Sequence, residues 1–301
     1  MDTALEFCAR LATETTATPD LASLSEVDML RRYPAIALGA VVLFTVGLAC
    51  DLYLLQRFQR RPPTPLFKVE PKPWGLSELA LAILAFLVVN LLVFLASAAF
   101  GNDDQLAWLF TLTSTLIMNV AFVAALPWLF ARRGLDWRRL FGIDPARRPQ
   151  GLGYGLVFYF AMIPPLVIVT ILSTVLCQVF HIRPAPQPVV ELLTFTDSGW
   201  MLGLVVLLAV VVAPVFEEIL FRGFAYPALK QRWGTWKALV LVSTAFAVVH
   251  LHAPSIGPLF ALGLAFALGY ELTGSLLAPI LMHSLFNGAN VLMLLYVRAH
   301  S

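Results

Sequence analysis

The stretch Trp200–Arg222, WMLGLVVLLAVVVAPVFEEILFR, decides how the rest of the chain is interpreted. Residues 200–215 carry no charge and have the composition of a membrane-spanning helix. Two carboxylates, Glu217 and Glu218, and an arginine, Arg222, then follow in the same apolar context. Each charge at the centre of a membrane helix costs roughly 2.5–3.5 kcal/mol, so such residues usually face a protein interior or a water cavity and mark a functional site. The alternative is that the span ends at Val215 and Glu217 begins a solvated loop.

The composition of the whole chain is that of a membrane protein. Of 301 residues, 59% are hydrophobic and 13% are charged, and the mean hydropathy is +0.83. A soluble domain has a charged fraction of about 25%. Several uncharged windows have the roughly 18 residues that are needed to cross the hydrocarbon core. We therefore predict an all-α, polytopic transmembrane helical bundle of about eight spans, with a catalytic core in the C-terminal four.

Other classes of protein are disfavoured by the same counts. The net charge of +2 and the lack of a basic cluster with interleaved aromatic residues argue against a nucleic-acid partner. Cys8, Cys50 and Cys177 are scattered, so neither a disulfide framework nor a thiolate metal site is expected. The N-terminal stretch 1–30 contains acids and threonines but no long apolar core, and it does not have the pattern of a signal peptide.

The sequence divides into three parts. Residues 1–33 form a polar N-terminal segment, expected to be either a surface amphipathic helix or disordered. Residues 34–180 contain four N-terminal transmembrane helices joined by basic loops, and the fourth should be kinked at Pro164-Pro165. Residues 198–297 contain the remaining four spans. The predicted spans are about 34–55, 76–100, 106–131, 151–180, 200–229, 238–251, 256–272 and 277–297.

The loops suggest an orientation. Short basic loops stay in the cytoplasm, which places 56–74 and 132–148 inside and the acidic turn 101–104 outside. Three further cations, Lys230, Arg232 and Lys237, mark the cytoplasmic end of the fifth span. The compact length and short loops favour a bacterial source, so we expect an integral protein of the bacterial cytoplasmic membrane whose partners are the lipid bilayer and a peptide or protein substrate.

Polar residues within the later spans fall at one depth. Glu217 lies 13 residues before Lys230, and His250 lies 13 residues after Lys237, so both are roughly 20 Å from the same end. His283, on the last helix, reaches a similar depth if the fifth helix continues through Glu217. Asn287 follows His283 by four residues and therefore shares its helix face.

This set of residues supports two kinds of hydrolysis. A carboxylate beside a neutral imidazole in a low-dielectric pocket can act as general base on water, while a second histidine and an amide donate to an oxyanion. Glu217, His250 and His283 could instead bind a divalent metal such as zinc, which activates water directly. A single histidine or asparagine in a membrane helix more often serves as an interhelical hydrogen-bonding group.

Three short motifs follow one another in the later spans: Glu217-Glu218-x-x-x-Arg222, Phe246-x-x-x-His250 and His283-x-x-x-Asn287. Together they resemble the motifs of the CAAX prenyl protease and bacteriocin-processing family, also called Abi or type II CAAX endopeptidases. The resemblance covers about residues 200–296. The matching positions are Glu217, Glu218, Arg222, Phe246, His250, His283 and Asn287.

The resemblance implies an intramembrane endopeptidase whose active site opens towards the cytosol. It implies that Glu217 and His250 activate water and that His283 and Asn287 form the oxyanion hole. Glu218, Arg222 and Phe246 would support the site. Family members have been described both as metalloproteases and as metal-free glutamate-type enzymes.

Two other functions use the same residues differently. In one, the polar cluster belongs to a non-catalytic membrane scaffold or immunity-type protein; in the other, the two glutamates are ion sites of a transporter. The chain lacks the His-Glu-x-x-His and Gly-x-Gly-Asp motifs of other intramembrane hydrolases. His252, two residues after His250, would point away from it on a helix and is expected at the membrane interface. The sequence defines neither the substrate nor the oligomeric state.

Overall fold

The computed structural model describes residues 32–60, 68–97, 104–145, 148–182, 190, 193, 196 and 198–300. Several predictions therefore lie outside the described residues. These are the state of segment 1–31 with Cys8, the proline-rich part of the first basic loop at 61–67, the acidic turn at 101–103, Arg147, and the loop 183–189.

The described chain is helical. Seven helical stretches are long and apolar enough to cross a membrane, which makes the chain an integral membrane protein and agrees with the predicted bundle. An eighth apolar helix in the described part of the chain, Thr235–Val249, is shorter. The helices are α1 (Pro34–Arg60), α2 (Leu76–Ser97), α3 (Asp104–Arg132), the short α4 (Trp137–Leu140), α5 (Arg148–Ala161), α6 (Ile163–Val179), α7 (Gly199–Trp233), α8 (Thr235–Val249), α9 (Ile256–Thr273) and α10 (Leu277–His300).

The fourth predicted span consists of two helices. α5 ends at Ala161 and α6 begins at Ile163, with Met162 between them. Pro164 and Pro165 have no backbone N–H to donate to the preceding turn, which explains the interruption at this place. The helix is thus interrupted next to the proline pair, where the sequence predicted a kink.

α7 continues through the two glutamates, as the depth argument required, but it is not uniform. Residues Leu208–Val212 form a π-helical segment in which the Ala213 N–H donates to the Leu208 carbonyl, five residues back. The next residue, Pro214, has no N–H. The carbonyl of Ala209 therefore receives no hydrogen bond from its own helix.

The same arrangement recurs directly after the glutamates. The segment Ile219–Ala225 is also π-helical, and the Tyr226 N–H donates to the Phe221 carbonyl. Pro227 follows directly. In both segments a proline comes immediately after the residue that makes the five-residue hydrogen bond, so the prolines account for both segments.

α8 is the shortest of the described membrane spans when α5 and α6 are counted together as one span. It begins after Gly234, whose φ of +79° is a conformation that glycine adopts without strain, and it ends at Val249. Its 15 residues give a length of about 22 Å. α8 packs closely on α9, since a Cβ at Gly263 would lie 3.1 Å from the Ser243 Cα.

Segment 68–75, which precedes α2, is extended and attached to the C-terminal helices. The Glu271 carboxylate accepts hydrogen bonds from Tyr226 Oη (2.6 Å), Lys230 Nζ (2.7 Å) and the Val69 N–H (3.3 Å). The Trp74 indole donates to the Phe224 carbonyl (3.3 Å). The first basic loop is thus fixed to the end of the bundle at which α7 and α9 finish.

The second basic loop lies at the same end. Lys72 Nζ donates to the Leu140 carbonyl at 2.5 Å, and the Leu276 N–H donates to the Phe141 carbonyl at 2.9 Å. Phe141 is only 1% exposed and packs on Trp74 with a centroid distance of 6.2 Å. The basic loops and the α7–α8 turn therefore form one face of the bundle, here called the basic end.

Candidate active site

A cavity of about 600 Å³ lies between α7, α8, α9 and α10. Most of its lining is apolar. Its polar lining includes Glu217 from α7, His250 from the end of α8, and His283 and Asn287 from α10. The structure thus brings together around one cavity the four residues to which the sequence analysis gave the chemistry.

The two adjacent glutamates have different surroundings. Consecutive side chains on a helix point about 100° apart, so they meet different neighbours. Glu217 lines the cavity, and its Oε2 is buried without a hydrogen-bond partner among the described residues. Glu218 does not line the cavity; it is fully buried and paired through Oε1, while its Oε2 also lacks a hydrogen-bond partner among the described residues. Of the two, Glu217 has the carboxylate available to a molecule in the cavity.

Arg222 lies beneath the cavity. Its Nη1 donates to Glu218 Oε1 at 3.0 Å, and its Nη2 donates to the Gly263 carbonyl at 2.9 Å. Both charged side chains are 0% exposed. A buried ion pair of this kind offsets its desolvation only through such additional hydrogen bonds, here by joining α7 to α9.

His283 is held by the same carboxylate. Its Nδ1 lies 2.9 Å from Glu218 Oε1, and because a carboxylate oxygen accepts, Nδ1 carries the proton and donates. The ring stacks on Phe266 with a centroid distance of 4.9 Å and an angle of 24°. The remaining nitrogen, Nε2, is the one available to a ligand.

His250 is oriented by its own helix. Its Nδ1 lies 2.7 Å from the Phe246 carbonyl and donates to it, because a carbonyl oxygen accepts. In the neutral ring Nε2 then carries the lone pair. The ring contacts Phe246 at a centroid distance of 4.8 Å.

Asn287 completes the hydrogen bonding of the first π-helical segment. Its Nδ2 donates to the Ala209 carbonyl at 2.8 Å. This is the carbonyl that Pro214 leaves without a donor in α7. The amide is therefore fixed with one N–H used and one N–H available.

Phe246 is the packing centre of the site. It is 1% exposed, the Arg222 guanidinium lies 4.6 Å from its ring centroid, and it makes edge contacts with the rings of His283 (5.8 Å) and Phe266 (6.2 Å). The supporting position that the resemblance assigned to this residue is consistent with these contacts.

Three features of the cavity were missed by the sequence analysis. Phe266 supports His283, and the Ala209 carbonyl orients Asn287. His252 was expected to point away from His250, but the helix ends at Val249 and His252 lines the same cavity, with Nδ1 2.7 Å from Ser255 Oγ. The available sequence signal for the role of the Ala209 carbonyl was Pro214, which lies shortly before the glutamates and has no N–H to donate to the preceding turn.

A divalent metal at Glu217, His250 and His283 is the alternative that the sequence left open. Within the part of the chain that the structure describes, no three His, Cys, Asp or Glu side chains are grouped so as to hold a metal ion. Glu217, His250 and His283 line one cavity but do not form such a group. We therefore derive no chemical step through a metal.

The fold and the cavity define a polytopic helical membrane protein with a carboxylate, two imidazoles and an amide around an internal cavity. Residues 198–289 match the family model described as Type II CAAX prenyl endopeptidase Rce1-like. The match covers all three motifs, which confirms the resemblance found in the sequence.

A curated relative also matches part of the chain. Over 90 residues, 30% of this chain, the sequence is 30% identical to "Putative membrane peptidase YdiL" of Bacillus subtilis (strain 168). The match spans 37% of the length of that relative. No solved structure matches the chain significantly.

Proposed function

We propose that the protein is an intramembrane endopeptidase that hydrolyses a peptide bond of a membrane-associated substrate. The observation that carries the proposal is the buried, unpartnered Oε2 of Glu217 in a cavity that also contains His250, His283 and Asn287. The cavity volume lies within the range of about 300–1,000 Å³ that is typical of ligand sites. The family match over residues 198–289 supports the same reaction class.

In this mechanism Glu217 takes a proton from a water molecule, which His250 helps to position through Nε2. The oxygen attacks the carbonyl carbon of the scissile bond, and the carbonyl oxygen becomes an oxyanion. Glu217 then returns the proton to the amide nitrogen as the C–N bond breaks. The products are a new carboxyl terminus and a new amino terminus.

The oxyanion is stabilised from α10. Asn287 donates its second Nδ2–H, since the first is bonded to Ala209. His283 donates from Nε2, and because Nδ1 already donates to Glu218, this requires the doubly protonated ring. The adjacent Glu218 carboxylate, which also pairs with Arg222, accepts the hydrogen bond from Nδ1 of this charged ring, which gives the second glutamate a supporting role distinct from that of the first.

The deciding experiment compares wild type with Glu217→Gln. We expect the variant to lose about 10²–10⁴-fold in turnover, because the general base is removed while the side chain keeps its size. Peptide termini are compared in cells that express each protein at equal levels. New termini found only with wild type would support proteolysis and identify the substrate.

The matched control is Glu70→Gln, the same substitution at an exposed position of the basic end. It should leave the new termini unchanged. Equal termini in wild type and Glu217→Gln, with both proteins folded, would overturn the proposal and favour the non-catalytic scaffold.

The glutamate-type mechanism has its own test. Turnover by purified protein should persist after a chelator, and metal content should not track activity. Stoichiometric zinc with loss of turnover on chelation would instead support the metal alternative. The cytosolic opening of the site, which the resemblance implies, stays a prediction.

A further inference from the structure

Asn290 is a polar residue of the cavity that the proposed mechanism does not use. It lies on α10 with His283 and Asn287, and all three side chains line the cavity. The spacings of four and three residues place them on one face of the helix. The proposed oxyanion site is thus continued by a third polar side chain along α10.

The protein itself uses only part of the hydrogen-bonding capacity of the Asn290 amide. Nδ2 donates to the Phe286 carbonyl at 2.9 Å, four residues back in the same helix. A carboxamide has two N–H donors and an acceptor oxygen. Within the described part of the chain, the second N–H and Oδ1 make no hydrogen bond. They are available to a molecule in the cavity.

The cavity lining that follows Asn287 on α10 is apolar apart from Asn290. The other lining residues of this stretch are Val291, Met293 and Leu294. A peptide backbone that enters such surroundings loses its water and needs hydrogen-bond partners there. A carboxamide presents a donor and an acceptor side by side, which matches the C=O and N–H that one residue of an extended chain directs to the same side.

The spacing along α10 fits an extended peptide. Asn290 lies three residues after Asn287 and seven after His283, which is about 4.5 Å and about 10.5 Å along the helix axis. An oxyanion held between His283 and Asn287 is therefore at an intermediate distance from Asn290. In an extended chain every second residue faces the same side, and such residues are about 6.6 Å apart. This spacing falls within the range that α10 provides.

We propose that Asn290 is a substrate-binding residue that holds the backbone of an extended peptide. Its amide donates to the C=O and accepts from the N–H of one substrate residue, which lies two positions from the residue whose carbonyl is attacked. Because the contact is with the backbone, it selects an extended conformation and not a particular sequence. This inference rests on the proposed proteolysis and adds a contact away from the reacting atoms.

The alternative is that the amide serves only its own helix. Asn90 on α2 makes the same local hydrogen bond, since its Nδ2 donates to the Phe86 carbonyl at 2.8 Å, again four residues back. Asn90 is also partly buried, but it does not line the cavity. It is therefore the matched control for a substitution at Asn290.

The test uses the full chain in proteoliposomes and a synthetic peptide that spans the cleavage site defined by the new termini. Asn290→Leu removes the amide and keeps a side chain of similar size. We expect KM to rise about 10-fold and kcat to stay within about twofold, because the lost contact is made equally in the bound substrate and in the transition state. Asn90→Leu should leave both constants unchanged. Neither variant should unfold at a lower temperature than wild type, since leucine favours a helix more than asparagine does.

Altered peptides test the contact directly. In two analogues of the synthetic peptide, an ester oxygen replaces the backbone N–H of the residue two positions before, or two positions after, the one whose carbonyl is attacked. With wild type, one of the analogues should raise KM about 10-fold, because it has no N–H to donate to Asn290. With Asn290→Leu the same replacement should cost nothing further, since the acceptor is already absent.

The result that overturns this proposal differs from the one that overturns the proteolysis. A wild-type KM in Asn290→Leu, a loss confined to kcat, or an equal ester effect in both proteins would contradict the contact while cleavage remains. If neither ester analogue raises the KM of wild type, the contact is contradicted without reference to any variant. Equal termini in wild type and Glu217→Gln would instead overturn the proteolysis, and the substrate contact with it.

Discussion

Glu217 and Glu218 have the same side chain and adjacent positions, yet the structure gives them opposite surroundings. Glu218 accepts from both Arg222 and His283 through Oε1, and the Oε2 atoms of both glutamates are buried without a partner among the described residues, but only Glu217 lines the cavity. The Oε2 of Glu217 can therefore act on a molecule in the cavity, whereas the Glu218 carboxylate holds Arg222 and His283. A substitution at Glu218 should therefore mainly lower stability, whereas one at Glu217 should mainly lower activity.

We predict that Glu218→Gln lowers the free energy of unfolding by about 3–5 kcal/mol, because it leaves the buried Arg222 charge without its partner. Glu217→Gln should leave thermal unfolding in detergent within error of wild type. Equal losses in both variants would contradict this assignment.

A double variant gives the matching control at this scale. In Glu218→Gln/Arg222→Met both charges of the pair are gone, and a side chain of similar length fills the space. Its unfolding temperature should recover much of the loss seen in Glu218→Gln, since the uncompensated charge is the main cost. If the unfolding temperature of the double variant does not recover, the loss of stability in Glu218→Gln comes mainly from altered packing around Arg222 and not from its unpaired charge.

At the scale of the helix, the first π-helical segment of α7 links a proline to the site. Pro214 leaves the Ala209 carbonyl without a helical donor, and Asn287 supplies that hydrogen bond. The amide is positioned by an irregularity in a neighbouring helix.

We predict that Pro214→Ala lowers kcat/KM by about 10–100-fold, because a new N–H competes for the Ala209 carbonyl and frees Asn287 to move. Thermal stability should stay equal or rise, since the helix regains a hydrogen bond. The control is Pro127→Ala, at a proline inside α3 that does not line the cavity. Wild-type turnover in Pro214→Ala would show that the amide does not depend on this carbonyl.

The helices and their approximate ends were predictable from uncharged windows and from glycine and proline positions. The continuation of α7 through Glu217 and the break before Pro164 followed from the same local rules. The depth count also anticipated that Glu217, His250 and His283 would meet around one cavity. These features depend on the geometry of residues that are close in sequence, which can be predicted from a single sequence.

Other features depend on packing between distant segments. The bond of His283 to Glu218 spans 65 residues, and that of Asn287 to Ala209 spans 78. The stacking of Phe266 on His283 is equally non-local. The predicted orientation of His252 was wrong because it assumed that the helix continues to this residue. Leu251 has a positive φ of 51°, which ends the helical geometry before His252.

At the scale of the whole molecule, Glu271 connects the first basic loop to the C-terminal helices. It accepts from Tyr226, Lys230 and the Val69 N–H, and its own carbonyl accepts from the Lys68 N–H at 3.0 Å. The N-terminal spans are therefore attached to the proposed catalytic core by a specific polar cluster as well as by apolar packing.

We predict that Glu271→Ala lowers the free energy of unfolding by about 3–5 kcal/mol, because it leaves the ammonium of Lys230 and the hydroxyl of Tyr226 without their carboxylate. It should also increase proteolytic cleavage within segment 68–75. Thermal unfolding and limited proteolysis in detergent are the measurements. The control Glu70→Ala, at an exposed residue of the same segment, should behave as wild type, and indistinguishable results for the two variants would contradict the role of Glu271.

The length of α8 has a consequence for the surrounding lipid. Its 15 residues span about 22 Å, whereas the hydrocarbon core is about 30 Å thick. A membrane accommodates such a hydrophobic mismatch partly by local thinning. Because His250 directly follows the short helix, thinning there would bring bulk water closer to the cavity. Local thinning of the bilayer beside α8 would in this way bring the water that hydrolysis consumes to the cavity, without a channel through the bundle.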